Sequence, residues 1–130
     1  MTPKLIYVGQ PYSHPDPLVV SRRVNIVANY MSDKVGCKNG FVYYSPICHG
    51  QTIHLHAEVA ANYEFWKAHS LGMLALASEL HVLCLDGWLD SVGLMDEVSF
   101  AALNHIPIKY FNQDPDNAYN FYEVQHDNSK

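Results

Sequence analysis

Ser91, Gly93 and Glu97 follow an apolar run, His81-Val82-Leu83-Cys84-Leu85, and a polar loop, Asp86-Gly87-Trp88-Leu89-Asp90. The run reads as a buried strand and the segment from Ser91 as the start of a helix, with Glu97 expected in its first turn. Ligands of open α/β sheets bind at the carboxyl ends of strands, beside the helices that follow them. A helix start offers unpaired N–H groups and a partial positive charge. Glu97 is therefore expected to stay ionised, as a nucleophile or base, and a phosphate would find donors beside it. Both residues also have plainer uses. A first-turn carboxylate on an exposed helix contributes about 0.3–1 kcal/mol, and Ser91 is a good N-cap.

A second group precedes it in the chain. Tyr7-Val8-Gly9-Gln10-Pro11-Tyr12-Ser13 ends an apolar, β-prone segment. Gly9 permits close backbone approach, and the hydroxyls of Tyr7, Tyr12 and Ser13 would face one crevice with Glu97. The plainer use of Tyr7 and Tyr12 is as half-buried aromatics. A third group is His49, His54, His56 and Glu58. Alternation at 54, 56 and 58 would put three ligands on one side of an extended segment, with His49 completing a tetrahedral set. The spacing matches no recognised metal motif, and solvated loop histidines are the simpler reading. His49 and Gly50 are also candidates to line the crevice. Trp88, beside Ser91, is a candidate cover for a ligand, while Trp66 suits helix packing. Arg22 and Arg23 could reach a phosphate or simply be solvated.

The elements that must position these groups alternate. Residues 4–9 read as a first strand. Asp16 and Pro17 suit an N-cap and first helical position, and Val20, Val24, Val27 and Met31 recur at helical spacing. Phe41 to Tyr44 reads as a second strand, 47–62 as irregular, and 63–80 as a helix weakened by Ser70 and Gly72. A strand over Leu80 to Leu85, a helix from Ser91 or Val92 to Asn104, and a strand over Ile106 to Phe111 complete the pattern. Such alternation predicts a parallel sheet covered on both faces. Right-handed crossovers bring the first and third strands side by side, so the loops after Val8 and Leu85 share a crevice. The expected division is a domain over 1–111 and a polar, aromatic tail over 112–130 that packs locally or frays.

The chain has 130 residues, 48% apolar and 16% charged, which fits one domain with one core. A net charge of −5 argues against binding a nucleic-acid polymer. No apolar run approaches a membrane span, no signal-peptide pattern precedes the first strand, and three widely spaced cysteines form no framework. The expected location is the cytoplasm.

Tyr7-x-Gly9-x-Pro11-Tyr12 and Ser91-x-Gly93-x-x-x-Glu97-x-x-x-Ala101 together resemble the nucleoside 2-deoxyribosyltransferase-like superfamily. The Pro-Tyr-Ser-His and Gly-Trp-x-x-Ser-x-Gly-x-x-x-Glu runs look closest to a little-characterised bacterial and phage branch, and the likeness extends from Leu5 to Tyr110. It implies a single Rossmann-like or flavodoxin-like three-layer α/β domain with a short parallel sheet. It also implies an N-glycosidic-bond enzyme, either a 2-deoxyribosyltransferase or a nucleoside 5′-monophosphate N-glycosidase, working through a covalent glycosyl-glutamate without metal or cofactor. Glu97 would be the nucleophile and Tyr7 its positioner. Ser91 and the Gly93 backbone would hold the 5′ end. Gly9, Pro11, Tyr12, His49, Asp86, Trp88 and Asp90 are further substrate-binding candidates. The resemblance further implies a homo-oligomer, a dimer or larger. Superfamily members usually carry an aspartate where this chain has Ser70. His69 adjoins it but points about 100° away on a helix, and Asp86 and Asp90 are other candidates to activate the base. The alternative is a nucleotide-binding or sensing protein that keeps the crevice without turnover.

Overall fold

The computed structural model describes residues 2–37, 39–57 and 63–125. The elements run β1 (Lys4–Gly9), α1 (Pro17–Ser32), β2 (Phe41–Tyr44), α2 (Pro46–Ala57), α3 (Tyr63–Ala75), β3 (Glu79–Leu83), a 3₁₀ turn (Trp88–Asp90), α4 (Val92–Leu103), β4 (Ile108–Asp114) and β5 (Asn117–Val124). One five-stranded sheet has the order β2-β1-β3-β4-β5. Strands β1 to β4 are parallel and β5 is antiparallel to β4. The parallel strands are those that the alternation of elements predicts, and the order is the flavodoxin-like arrangement that the resemblance implies. Strand β1 lies beside β3, so the chain leaves β1 toward one edge and returns to the other. The crevice at that reversal is where the sheet can take a ligand.

Two apolar clusters cover the two faces of the sheet. Tyr7, Leu80, Val82 and Tyr110 pack with Leu74 of α3 and Leu94 and Ala101 of α4. Val8 and Leu83 pack with Val27 and Tyr30 of α1. Alternation along β1 thus sends Tyr7 toward α3 and α4, and Val8 toward α1. Helix α1 starts as its sequence predicts, with the Asp16 side chain accepting from Leu18 N and Pro17 at the first position. Its inward face carries Ile26, Val27 and Tyr30, but also Arg23. The arginine is buried because backbone carbonyls satisfy its fork, as shown below.

Two expectations change and a third becomes specific. Residues 46–57 form a helix rather than an irregular stretch, although none of its residues is fully buried. The helix expected to reach residue 80 ends at Ala75, and the following strand runs over Glu79–Leu83. The tail folds back as β5: Phe121 packs edge-on against Tyr30 with ring centroids 5.3 Å apart, and the Tyr119 hydroxyl donates to Asn25 Oδ1 at 2.8 Å. Alternating aromatics give that polar strand one face to bury against α1.

Candidate active site

Tyr7 near the end of β1 and Glu97 on α4 meet beneath a cavity of about 500 Å³, a volume typical of small-molecule sites. Glu97 is 6% exposed and contributes to the cavity wall; Tyr7 lies fully buried below it. The Tyr7 hydroxyl donates to Glu97 Oε2. Helix α4 begins at Val92, so Glu97 sits in its second turn and faces inward, rather than in the first turn. Its charge state changes accordingly. Burial pushes the Glu97 carboxyl up to about 8, with Asp96 adding to the rise and the Tyr7 hydrogen bond opposing it. Burial and the neighbouring Glu97 hold the Tyr7 phenol far above its ordinary value, opposed by the nearby Ser70 hydroxyl. The carboxylate expected to stay ionised is thus a buried acid whose neutral form is favoured, because desolvation outweighs the Tyr7 hydrogen bond.

Gly9 is required here by space. A Cβ at Gly9 would stand 3.0 Å from Leu94 Cδ1 and 3.3 Å from Glu97 Oε1. The glycine lets the strand end approach α4 closely enough for Tyr7 to reach Glu97.

Several expected residues do line the cavity: Tyr12, Asp90, Ser91 and Gly93 join Glu97 there. Ser91 also caps α4, its Oγ accepting from Leu94 N at 3.3 Å, so the two uses of this serine coexist. The Tyr12 hydroxyl donates to Gln51 Oε1 on α2 at 3.0 Å, tying that helix over the crevice.

Other expected residues lie elsewhere. Pro11 is fully buried behind the wall. His49 stacks face to face on His69, centroids 5.0 Å apart, and lies 5.8 Å from the Tyr44 ring. It is not part of the cavity lining, whereas the adjacent Gly50 is. Trp88 packs against Tyr110 at 5.7 Å and does not line the cavity. Asp86 faces a second cleft, of about 680 Å³, which shares Ser13, Asp90 and Ser91 with the first and carries Arg22 and Arg23. Arg23 donates to the carbonyls of Tyr12, Ser13 and Asp86 at 3.3, 3.0 and 2.8 Å. It clamps the loops after β1 and β3 together.

The histidine group does not assemble as an extended ligand set. His54 and His56 lie two residues apart on α2, on differing faces of a helix. Only His54 reaches the cavity, and Glu58 lies outside the described residues. Among the described residues, no group of three or more His, Cys, Asp or Glu is arranged to hold a metal.

The cavity also holds residues not expected to bind substrate, although Gln10 lies inside the first motif and Ser70 stands where the resemblance expects an aspartate. Gln10, Gln51, Glu64, Trp66 and Ser70 line it, and Ser70 is 6% exposed. Tyr44, at the end of β2, has a buried hydroxyl with no partner among the described residues. Burial and the proximity of Glu97 push that phenol up to about 12. Tyr44 ends its strand beside Tyr7, with which it is paired in register. The rule that parallel-sheet sites gather at strand ends could have found it.

Chemically, the arrangement offers one buried carboxylate with a phenol donor, hydroxyls and amides along one wall, and the flat Trp66 ring. Such a site can bind a polar ring compound and attack it from Glu97.

Residues 4–113 match the model of a domain of unknown function, DUF1937, and the chain belongs to that family. No curated protein matches the sequence. Among solved structures, a 2-deoxyribosyltransferase from the psychrotolerant bacterium Bacillus psychrosaccharolyticus is similar, with a TM-score of 0.55 and 17% identity over 83% of this chain and 72% of that one. At that identity the likeness is one of fold. No helix among the described residues is long and apolar enough to cross a membrane.

Proposed function

For this member of the DUF1937 family we propose an enzyme of the N-glycosidic bond, acting on 2-deoxyribonucleosides or their 5′-monophosphates. The observation that carries the reading is the buried Tyr7–Glu97 hydrogen bond at the wall of a nucleoside-sized cavity. Isolated buried carboxylates are costly. One kept within reach of a ligand cavity, with a phenol that holds its geometry, is suited to nucleophilic work.

In the first step a Glu97 carboxylate oxygen bonds to the anomeric carbon as the carbon–nitrogen bond breaks. The bonding electrons leave with the base, which takes up a proton. In the second step water or another base attacks the same carbon, releases Glu97 and loses a proton. Glu64, Asp90 and His54 all line the cavity and, with the Tyr12 hydroxyl, are titratable groups available to protonate the base. Ser91 and the start of α4 are suited to the 5′ end, hydroxyl or phosphate. The fold's 2-deoxyribosyltransferase neighbour supports this substrate class.

Ser70 favours a second reading, a nucleotide-binding protein without turnover, because a hydroxyl stands where a carboxylate would assist base departure. One experiment separates the two. The protein is incubated with each 2-deoxynucleoside and each 5′-monophosphate, with and without a free acceptor base, and base release is followed by chromatography. Release is expected from the wild type and absent in Glu97→Ala. In Tyr7→Phe it is expected to fall at least tenfold and to need higher pH, since the hydrogen bond that opposes protonation of Glu97 is gone. Binding without release by the wild type would overturn the enzyme in favour of the binding protein.

A further inference from the structure

The Gln10 side chain, 4% exposed, sits at the wall of the Glu97 cavity with its amide half satisfied. Its Nε2 donates to the carbonyl oxygens of Arg23, at 3.2 Å, and Pro11, at 3.4 Å. Its Oε1 is buried and has no donor among the described residues. This orientation is fixed by chemistry. Both neighbours of Nε2 are acceptors, so turning the amide over would set oxygen against oxygen twice. A buried amide oxygen without a donor costs about 1–3 kcal/mol, so its persistence at the wall of a ligand-sized cavity calls for a functional reason.

We infer that Gln10 is a specificity-determining residue whose Oε1 accepts a hydrogen bond from the sugar hydroxyl of the ligand. This rests on the nucleoside reading above and deepens it. Gln10 follows Gly9, whose backbone lies against Glu97, so the sugar being attacked must lie beside it. The base belongs elsewhere: the flat Trp66 ring is on α3, which packs on the sheet face opposite α1, where Gln10 is anchored. The 5′ group has Ser91 and the start of α4. The remaining donor on a 2-deoxyribose is its 3′-hydroxyl. An acceptor-only partner, such as a phosphate or ether oxygen at that position, would be repelled by Oε1.

The test measures equilibrium binding by calorimetry in the full chain carrying Glu97→Gln, which stops turnover. The probes are 2-deoxynucleosides with the four common bases, their 5′-monophosphates, and the 2′,3′-dideoxy counterpart of each. Loss of the 3′-hydroxyl is expected to weaken binding about tenfold. Adding Gln10→Met, which keeps the length of the side chain and removes the amide, is expected to bring the pair within about twofold of each other. Equal binding of deoxy and dideoxy ligands before Gln10 is changed would overturn the inference, and so would discrimination that survives Gln10→Met. The first comparison stands even if Gln10→Met fails to fold. Binding of no nucleoside at all would overturn this inference together with the function proposed above. Glu97-dependent base release without 3′-hydroxyl discrimination would overturn this inference alone.

Discussion

Glu97 is held where two physical demands oppose each other. Burial favours its neutral form, and the Tyr7 hydroxyl favours its anion; burial wins, leaving the carboxyl at about 8. At pH 7 the neutral form therefore predominates in the empty cavity. A folded-state value raised from 4.5 means that unfolding releases a proton between those two values. Stability from this group therefore falls as pH rises from about 4.5 through 8, and changes little beyond. Gln cannot ionise and avoids that loss. Glu97→Gln should melt above the wild type, with a gap that is small near pH 5 and reaches a few kcal/mol, on the order of 5–10 °C, by pH 8.5. Melting curves across that range check it, and a gap independent of pH would refute a buried neutral Glu97. The importance of Glu97 was legible from its motif, whereas its charge state was not. Spacing along a chain does not say which turn of the helix a residue occupies, nor how much water the facing strand removes.

At the scale of elements, α4 joins structure to specificity through Ser91. Its Oγ caps the helix while its side of the loop lines the cavity. Ser91→Ala removes the cap and should cost about 1 kcal/mol. Ser91→Asp keeps a capping oxygen and adds a negative charge where a 5′-phosphate would lie. Asp should therefore hold stability within about 0.5 kcal/mol of the wild type and lower kcat/KM for monophosphates at least tenfold relative to nucleosides. Denaturant unfolding and paired kinetics separate the effects; an unchanged ratio would place the phosphate elsewhere. The elements themselves were unevenly readable. Strands β1 and β3 are apolar runs bounded by turn residues, and the start of α1 carries Asp16 and Pro17. Helix α2 was hidden because its sequence, PICHGQTIHLHA, has no clear apolar stripe and buries none of its residues fully. Strand β5 was hidden by polar residues between its aromatics. Yet Tyr119 and Phe121 share one strand face, and Asp114-Pro115-Asp116 marks the turn, with Asp116 N donating to Asp114 Oδ1 at 2.8 Å.

Over the whole molecule, the crevice exists only if the loops after β1 and β3 keep their separation, and Arg23 sets it. One guanidinium on α1 donates to the carbonyls of Tyr12, Ser13 and Asp86, so a helix and two loops share one buried fork. Gly87 takes a left-handed conformation at φ 83°, and a Cβ there would stand 3.1 Å from Arg23 Nη2. The glycine therefore answers both the turn and the clamp. Sequence pattern offered two plainer uses for Arg23, solvent or a phosphate, because an arginine on a helix carries no sign of carbonyls that converge on it from residues 10, 11 and 63 positions away. Arg23→Ala leaves three carbonyls without their donor and should lower stability by about 2–3 kcal/mol. Arg23→Lys should restore less than half of that, since a single ammonium cannot span three acceptors in the plane of a guanidinium. Urea unfolding measures both. Ligand affinity well below the melting range should fall in each variant, because Tyr12 and Ser13 line the same cavity as Glu97. Full rescue by lysine would mean that charge alone holds the loops, and the cavity's shape would then have to be set by packing along the strand ends.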